Sequence, residues 1–404
     1  NMFAQLYVST RLAALQVCFL RPLHSSISDR MSTLATLSSS LMDMFWAGLP
    51  IRPSLLYFAN LALIGSGVTY TTLCMLLCIS PWLQRQLMYL HKASVPYFTY
   101  WLPPTELCRT DLSRLQLFRM QHVARNVEVR TSDGQVLQAW HVLPSRHATS
   151  IARASSSSSR EAEFDKALSS GDDPVIVLLH GQGGTRGIIN RVDLARTLSS
   201  HLQAHVLAVD YRGFGGSSGT PSQAGLLIDA VAVWDWLVQH GCKCAYVYGQ
   251  SLGAAVAVHF AELQFNKSCK LLGLILDAPF FSAVGAAMKH PLYRPLCWLR
   301  PIRDALSRSI ADKWESGKAI QHVKCPVLIF GAGRDSIVGK DGAVDLAQTL
   351  LQSQELKQFD AKMTSRLVVI EEAQHSNCYA FDQWLLAMAS FLEAADARDA
   401  QPDS

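Results

Sequence analysis

The chain has 404 residues, enough for one large hydrophobic core with material to spare. Charged residues are only 17% and mean hydropathy is +0.14, a balance that points to a globular domain carrying a membrane segment. A formal charge of +4 without a basic stripe argues against nucleic acid as a partner, and ten cysteines scattered through so long a chain imply no disulfide framework.

Residues 1–52 have little periodicity and few acids, with Arg11, Arg21 and Arg30 dispersed among serines. They read as a poorly ordered tail, with a transit-like leader as the alternative. Asn1 is not an initiator, so the start lies at Met2, Met31 or Met42, or upstream. From Pro53 to Gln84 no residue is charged. Its centre, 55–79, exceeds the ~20 residues that cross a hydrocarbon layer, so 53–84 is predicted to hold one transmembrane helix. Arg52 closes one end, and Trp82, Arg85, Tyr89 and Lys92 line the other as interfacial anchors. Orientation is open at this level. Arg85 and Lys92 against Arg52 favour a cytoplasmic catalytic domain, whereas the sequon Asn266-Lys-Ser268 favours a lumenal one.

Residues 86–104, aromatic and broken by proline, are expected along the membrane surface or under the next domain. Runs 126–131 and 135–143 alternate around Ser132-Asp-Gly134 and predict a β-hairpin. The stretch 145–173, with serines at 155–159, has too little apolar content to fold and reads as a surface insertion. Continuous apolar runs then begin at Val175, as buried parallel strands require. Strands at 175–179, 205–210, 244–249, 271–277, 326–331 and 366–371 alternate with helices at 188–202, 222–240, 252–264, 341–352 and 378–394. That alternation predicts a doubly wound α/β domain with ligands at the carboxyl ends of the strands. Residues 280–324 interrupt it and read as a cap.

The pattern centres on Gly249-Gln-Ser-Leu-Gly253, between an apolar strand and an alanine-rich helix. A strand that turns sharply into a helix at Gly-x-Ser-x-Gly is a nucleophile elbow, and side chains on Gly249 or Gly253 would collide with the neighbouring strand or helix. A serine hydroxyl needs a base, and that base needs a carboxylate to hold its tautomer. His375, in Glu371-Glu-Ala-Gln-His375, is the sole histidine downstream of Asp335 in Gly331-Ala-Gly-Arg-Asp335-Ser-Ile-Val338, which gives the order Ser251, Asp335, His375. Asp277, after the strand 271–276, is the rival acid, and Asp335 is favoured.

Two N–H donors are needed for the tetrahedral intermediate. One is assigned to Leu252, after the nucleophile, and the other to Gln182, in the loop His180-Gly-Gln-Gly-Gly184. His180 and Asp210 are expected to brace loops. Arg186 is expected to be structural, with an anionic headgroup as its alternative partner. Phe280, Phe281 and cap residues Met288 to Leu299, Trp298 among them, either admit an acyl chain or simply pack the cap. Cys242-Lys-Cys244 lacks partners at zinc spacing and reads as structural. The chemistry requires no metal and no organic cofactor.

These features together resemble the α/β-hydrolase domain-containing protein 12 family, over about residues 55–395. The resemblance is carried by the single span, Val95-Pro-Tyr-Phe98, Trp140-His-Val-Leu-Pro144, His180-Gly-Gln-Gly-Gly-Thr-Arg-Gly187 and Asp210-Tyr-Arg-Gly-Phe-Gly-Gly-Ser-Ser-Gly-Thr-Pro-Ser222, with the elbow and the Asp335 and His375 motifs. The elbow and the Asp-x-x-Val pattern belong to the whole superfamily; the Gly-Thr-Arg-Gly and Gly-Thr-Pro-Ser stretches discriminate more. Gln250 departs from the His or Thr of many relatives. The resemblance implies an α/β-hydrolase fold, a triad of Ser251, Asp335 and His375, and a membrane-bound lipase acting on lysophosphatidylserine or monoacylglycerols. It also implies a catalytic domain in the endoplasmic reticulum lumen. The expected organisation is a tail (1–52), a transmembrane region (53–84), a hydrolase domain (85–397) containing the insertion (145–173) and the cap (280–324), and a second tail (398–404). The rivals are a thioesterase acting on acylated protein cysteines and a non-catalytic binding protein of the same fold.

Overall fold

A computed structural model describes residues 53–91, 111–263, 268–289, 300–356 and 365–399. The chain forms two compact units, 1–73 and 74–404. Helix α1 (Pro53–Ile79) carries no ionisable side chain of Asp, Glu, Lys or Arg, and its stretch Asn60–Leu77 is long and apolar enough to cross a membrane. Hydroxyls of Ser66, Thr69 and Thr71 bond within the helix. Ser66 donates to the Ala62 carbonyl at 2.7 Å, and Thr69 to that of Gly65 at 2.8 Å. A helix in lipid needs that internal pairing because no water is at hand.

Ser80 separates α1 from α2 (Pro81–Tyr89) and caps it by accepting from the Leu83 N–H at 3.3 Å, with Pro81 at the first helical position. Trp82 is exposed, as an interfacial anchor should be. Tyr89 corrects the expectation. It is wholly buried, its hydroxyl donating to Asp312 at 2.9 Å and accepting from the Trp314 indole at 3.3 Å. A buried phenol needs such partners, and the segment between α9 and α10 supplies them. Lys92, and residues 92–104 of the segment expected at the membrane surface, lie outside the described residues.

The hairpin β1 (Ala124–Arg130) and β2 (Val136–Val142) opens an eight-stranded sheet. Helices α3 (Ala148–Arg153) and α4 (Ser157–Ser170) follow, then β3 (Val175–Leu179), α5 (Ile189–His201), β4 (His205–Asp210) and α6 (Gln223–Gln239). Next come β5 (Cys244–Gln250), α7 (Leu252–Glu262) and β6 (Lys270–Asp277). The segment before β7 (Val327–Ala332) holds α8 (Ala283–Lys289), α9 (Arg300–Ser309) and α10 (Ser316–Ala319). The chain ends with α11 (Asp341–Leu356), β8 (Arg366–Ile370) and α12 (Asp382–Asp399). The strand order is β1-β2-β4-β3-β5-β6-β7-β8, with β1, β2 and β4 joined antiparallel and the other pairs parallel.

Alternate residues of a parallel strand face opposite layers, so the central strand β3 is apolar at every position. Val175, Val177 and Leu179 join one core with α6, α7 and α11, whereas Ile176 and Leu178 join the other with α5 and α12. The chain leaves β3 for β4 on one side and reaches β5 on the other. That reversal opens the crevice in which ligands of doubly wound sheets bind.

The serine-rich stretch 145–173 overturns the unfolded reading. Ser156 caps α4 by accepting from the Ser159 N–H at 3.1 Å, Gly171 ends it at φ +79°, and Phe164, Ala167 and Leu168 are buried. Sparse apolar residues suffice because they share one face of the helix and an ionic clasp reinforces them. Arg125 of β1, itself buried, pairs with Glu161 at 2.8 Å and Asp165 at 2.6 Å and lies over the Phe164 ring. Truncating so enclosed a ring costs about 3–5 kcal/mol. Phe164→Ala is therefore expected to lower unfolding free energy by that amount and to speed tryptic cleavage after Arg153 and Arg160.

Beneath this insertion a line of histidines runs between strands. Arg125 Nε donates to His141 Nδ1 at 3.2 Å, so His141 Nε2 bears the proton and donates to His205 Nδ1 at 3.1 Å. Burial, then the His205 charge, keeps His141 neutral well below its ordinary range, and burial, only partly opposed by Asp173, lowers His205 to about 4. A depressed pKa in the fold means that the unfolded chain binds more protons. Stability is thus full above pH ~6.5 and is lost as pH falls toward about 4. Urea midpoints should drop across that window, and His205→Phe should flatten the slope.

Candidate active site

Ser251 lies at the β5–α7 junction with φ +52° and ψ −110°, a region that L-residues adopt only when the surroundings enforce it. Its N–H donates to the Asp277 carbonyl at 2.8 Å, which ties the turn to β6. A Cβ on Gly249 would stand 2.7 Å from the Ala254 Cα, and one on Gly253 would overlap the Leu179 carbonyl of β3. Both glycines are sterically required.

Asp335 follows β7 and His375 follows β8, and the sheet order brings both to the Ser251 end. His375 Nε2 is 3.0 Å from Ser251 Oγ, and His375 Nδ1 is 2.7 Å from Asp335 Oδ2. The carboxylate can only accept, so Nδ1 holds the proton and Nε2 is free to accept the serine hydroxyl proton. The other oxygen of Asp335 accepts from the N–H groups of Ile337 (2.9 Å) and Val338 (3.0 Å). Burial pushes the Asp335 carboxyl up, but the hydrogen bonds from His375 and these two amides outweigh it and hold it below its ordinary value. The spacing in Asp-x-x-Val thus closes a turn around the carboxylate.

Asp277, the rival acid, is engaged elsewhere. Its carboxylate is wholly buried and accepts from the Tyr248 hydroxyl at 2.9 Å and from Gln250 Nε2 at 3.5 Å. Gln250 therefore faces inward, away from any headgroup.

Leu252 follows the nucleophile in the chain, and Gln182 belongs to the loop that passes beside it. Leu252 opens α7, where first-turn N–H groups have no intrahelical acceptor. The 180–184 loop runs alongside, since a Cβ on Gly181 would stand 3.4 Å from the Ser251 Cβ. His180 is buried behind it, and its Nδ1 donates to the Gly181 carbonyl at 2.7 Å. Burial, then the Arg191 charge, keeps this imidazole neutral. Arg186 is also buried, pairing with Asp210, which accepts from the Arg186 N–H at 2.6 Å as well. That settles Arg186 as a loop brace rather than a headgroup ligand.

Phe280 is buried in the core, while Phe281 is 40% exposed and stands where a Cβ on Gly317 would be. Of the two, only Phe281 is exposed. Trp298 lies outside the described residues.

Arg191 has no counterpart among the sequence-derived candidates. Its guanidinium donates to three successive carbonyls, those of Gly181 (3.0 Å), Gln182 (3.2 Å) and Gly183 (2.8 Å). In a trans peptide the N–H opposes the C=O, so holding the Gly181 carbonyl turns the Gln182 N–H away from Arg191. Burial lowers the Arg191 pKa to about 10, still high enough to keep the charge. The available signal was a cation on the apolar stripe 191, 194, 195, 198 of α5, whose neighbours are all buried. Neither Tyr89 nor Asp312 carried any motif.

An asparagine at Asp335 keeps the shape of the line but removes the charge that fixes the histidine tautomer. Asp335→Asn is expected to lower turnover of a model ester by about 10²–10⁴-fold, and Asp277→Asn to leave it within a few-fold, both read as kcat on folded protein.

The family model described as alpha/beta hydrolase family matches residues 176–390. The lysophosphatidylserine lipase ABHD12 of Danio rerio is 33% identical over 279 residues, 67% of this chain and 66% of that protein. Protein ABHD12B of Homo sapiens is 31% identical over 249 residues, 60% of this chain and 65% of that protein. This chain thus spans just under two thirds of the length of these relatives. A crystal structure of an alpha-beta hydrolase from Vibrio vulnificus superposes with a TM-score of 0.54 at 18% identity, covering 78% of this chain and 94% of that one.

Proposed function

The chain belongs to the alpha/beta hydrolase family, and from that membership we propose that it is a membrane-anchored serine hydrolase cleaving the acyl ester of a single-chain lipid. The observation that carries this reading is the hydrogen-bonded line from Ser251 through His375 to Asp335. Ser251 Oγ attacks the ester carbonyl as His375 Nε2 takes its proton, and the Asp335 carboxylate stabilises the imidazolium. The oxyanion is received by the N–H groups of Leu252 and Gln182, each such donor worth about 10²–10³ in rate. Collapse returns the proton from His375 to the departing alcohol. Water, deprotonated by the same histidine, then releases the fatty acid from Ser251.

The substrate class follows from two supports. Relatives at about a third identity are named lysophosphatidylserine lipases, and α1 is apolar enough to lodge the protein in a bilayer where single-chain lipids reside. Lysophosphatidylserine-like lipids and monoacylglycerols are both within this reading. We place the protein in the endoplasmic reticulum as a single-pass protein with its catalytic domain in the lumen. The sequon at Asn266 agrees with that side.

The test is fatty-acid release from lysophosphatidylserine and from monoacylglycerol in detergent micelles. The wild type is expected to release fatty acid, and Ser251→Ala to lose at least about 10³-fold. Release that survives Ser251→Ala would sink the mechanism. Cleavage of acyl-cysteine thioesters with neither lipid turned over would replace the substrate class with acylated proteins.

A further inference from the structure

Helix α2, which follows the apolar helix in the chain, touches both the loop beside Ser251 and the segment 309–314. Its carboxyl end meets the loop that carries Gln182. The Leu87 carbonyl accepts from the Gln182 side-chain amide at 2.7 Å, and the Tyr89 carbonyl accepts from the Gly183 N–H at 3.0 Å. These are carbonyls of a last helical turn, which have no acceptor role inside the helix. Active-site loop and helix end therefore satisfy each other. The approach is close: a Cβ on Gly183, at φ +66°, would lie 3.7 Å from the Leu90 Cβ.

The side of α2 meets the chain returning from the cap. Gln84 donates to the Ser309 carbonyl at 2.9 Å and accepts from the Ala311 N–H at 2.9 Å. Arg85 pairs with Asp312 at 3.0 Å, and Tyr89 bridges Asp312 and Trp314. Tyr89, Asp312 and Trp314 are all buried, so these bonds are shielded from water, where polar contacts count for most.

Resting on the reading that the Gln182 N–H is an oxyanion donor, we propose that α2 positions this donor, with Tyr89 and the Gln182 side chain as positioning residues. Two constraints hold the loop from opposite partners: Arg191 grips its carbonyls, and α2 grips the Gly183 N–H and the Gln182 amide. The seating of the cap's return segment on α2 then sets how well the donor meets the transition state. Cap and oxyanion hole are coupled through a helix that touches no substrate. A loose donor leaves ground-state binding unchanged and weakens transition-state binding, so the signature is a loss in kcat rather than a rise in KM.

The experiment uses the full chain in detergent micelles. Tyr89→Phe keeps the ring and removes the bonds to Asp312 and Trp314. Gln182→Met keeps the length and removes the donor to Leu87. Each is measured for kcat and KM on p-nitrophenyl butyrate, for affinity toward a trifluoromethyl ketone that forms a tetrahedral adduct with Ser251, and for thermal midpoint. Expected is a kcat loss of roughly 5- to 50-fold with KM within about twofold, and ketone affinity weakened by a matching factor. Unchanged kcat in both folded variants would overturn the proposal, as would a kcat loss that leaves ketone affinity untouched or merely tracks the unfolded fraction. A wild type that neither cleaves the ester nor binds the ketone would remove the hydrolase reading itself, and the proposal with it.

Discussion

The candidate site is built around the strained backbone of one residue. Ser251 is held at positive φ, a conformation that costs about 1–3 kcal/mol and persists only when neighbours over-determine it. The determination is visible on all sides. Its N–H is bound to β6, the carbonyl of β3 leaves no room beside Gly253, and α7 is buried from Leu252 through Ala261. The packing of a central helix and three adjacent strands offsets the strain. It also projects the hydroxyl out of the turn, toward the ends of β7 and β8.

A second constraint is electrostatic. Behind the nucleophile lie two buried arginines, Arg186 and Arg191, yet only one buried carboxylate, Asp210, is paired with them. Arg191 donates instead to backbone carbonyls. In a low-dielectric setting a cation on the carbonyl end of a peptide polarises its N–H end, and that end belongs to the proposed oxyanion donor. His180 stays neutral beside them, so no further charge is added. The loop is braced by groups that never reach the substrate.

Within the catalytic unit α2 is a structural part of the site, because two of its last-turn carbonyls are capped by the loop beside Ser251. Its amphipathic character divides the labour among its side chains. Trp82 is exposed, whereas Gln84 and Tyr89 are buried against the return from the cap.

What could be read in the sequence was whatever local rules encode. The parallel strands are continuous apolar runs, the elbow is spelled by two glycines around a serine, and chain order leaves one histidine to follow Asp335. The serine-rich stretch misled because composition was weighed without periodicity; three buried residues on one face and a cation on the adjacent strand were enough to fold it. Asp335 and Asp277 both stand at strand ends; the sequence favours Asp335, and in the structure Tyr248 and Gln250 occupy Asp277. Tyr89 bonds to residues more than two hundred positions away, and Arg191 to carbonyls rather than to a side chain, so neither leaves a trace in spacing. Sequence by itself determined the periodic elements and the strained turn, because these depend on neighbours along the chain. Which charge meets which partner, and which helix braces the catalytic loop, was decided by the tertiary structure, because such contacts exist only once distant segments are packed out of water.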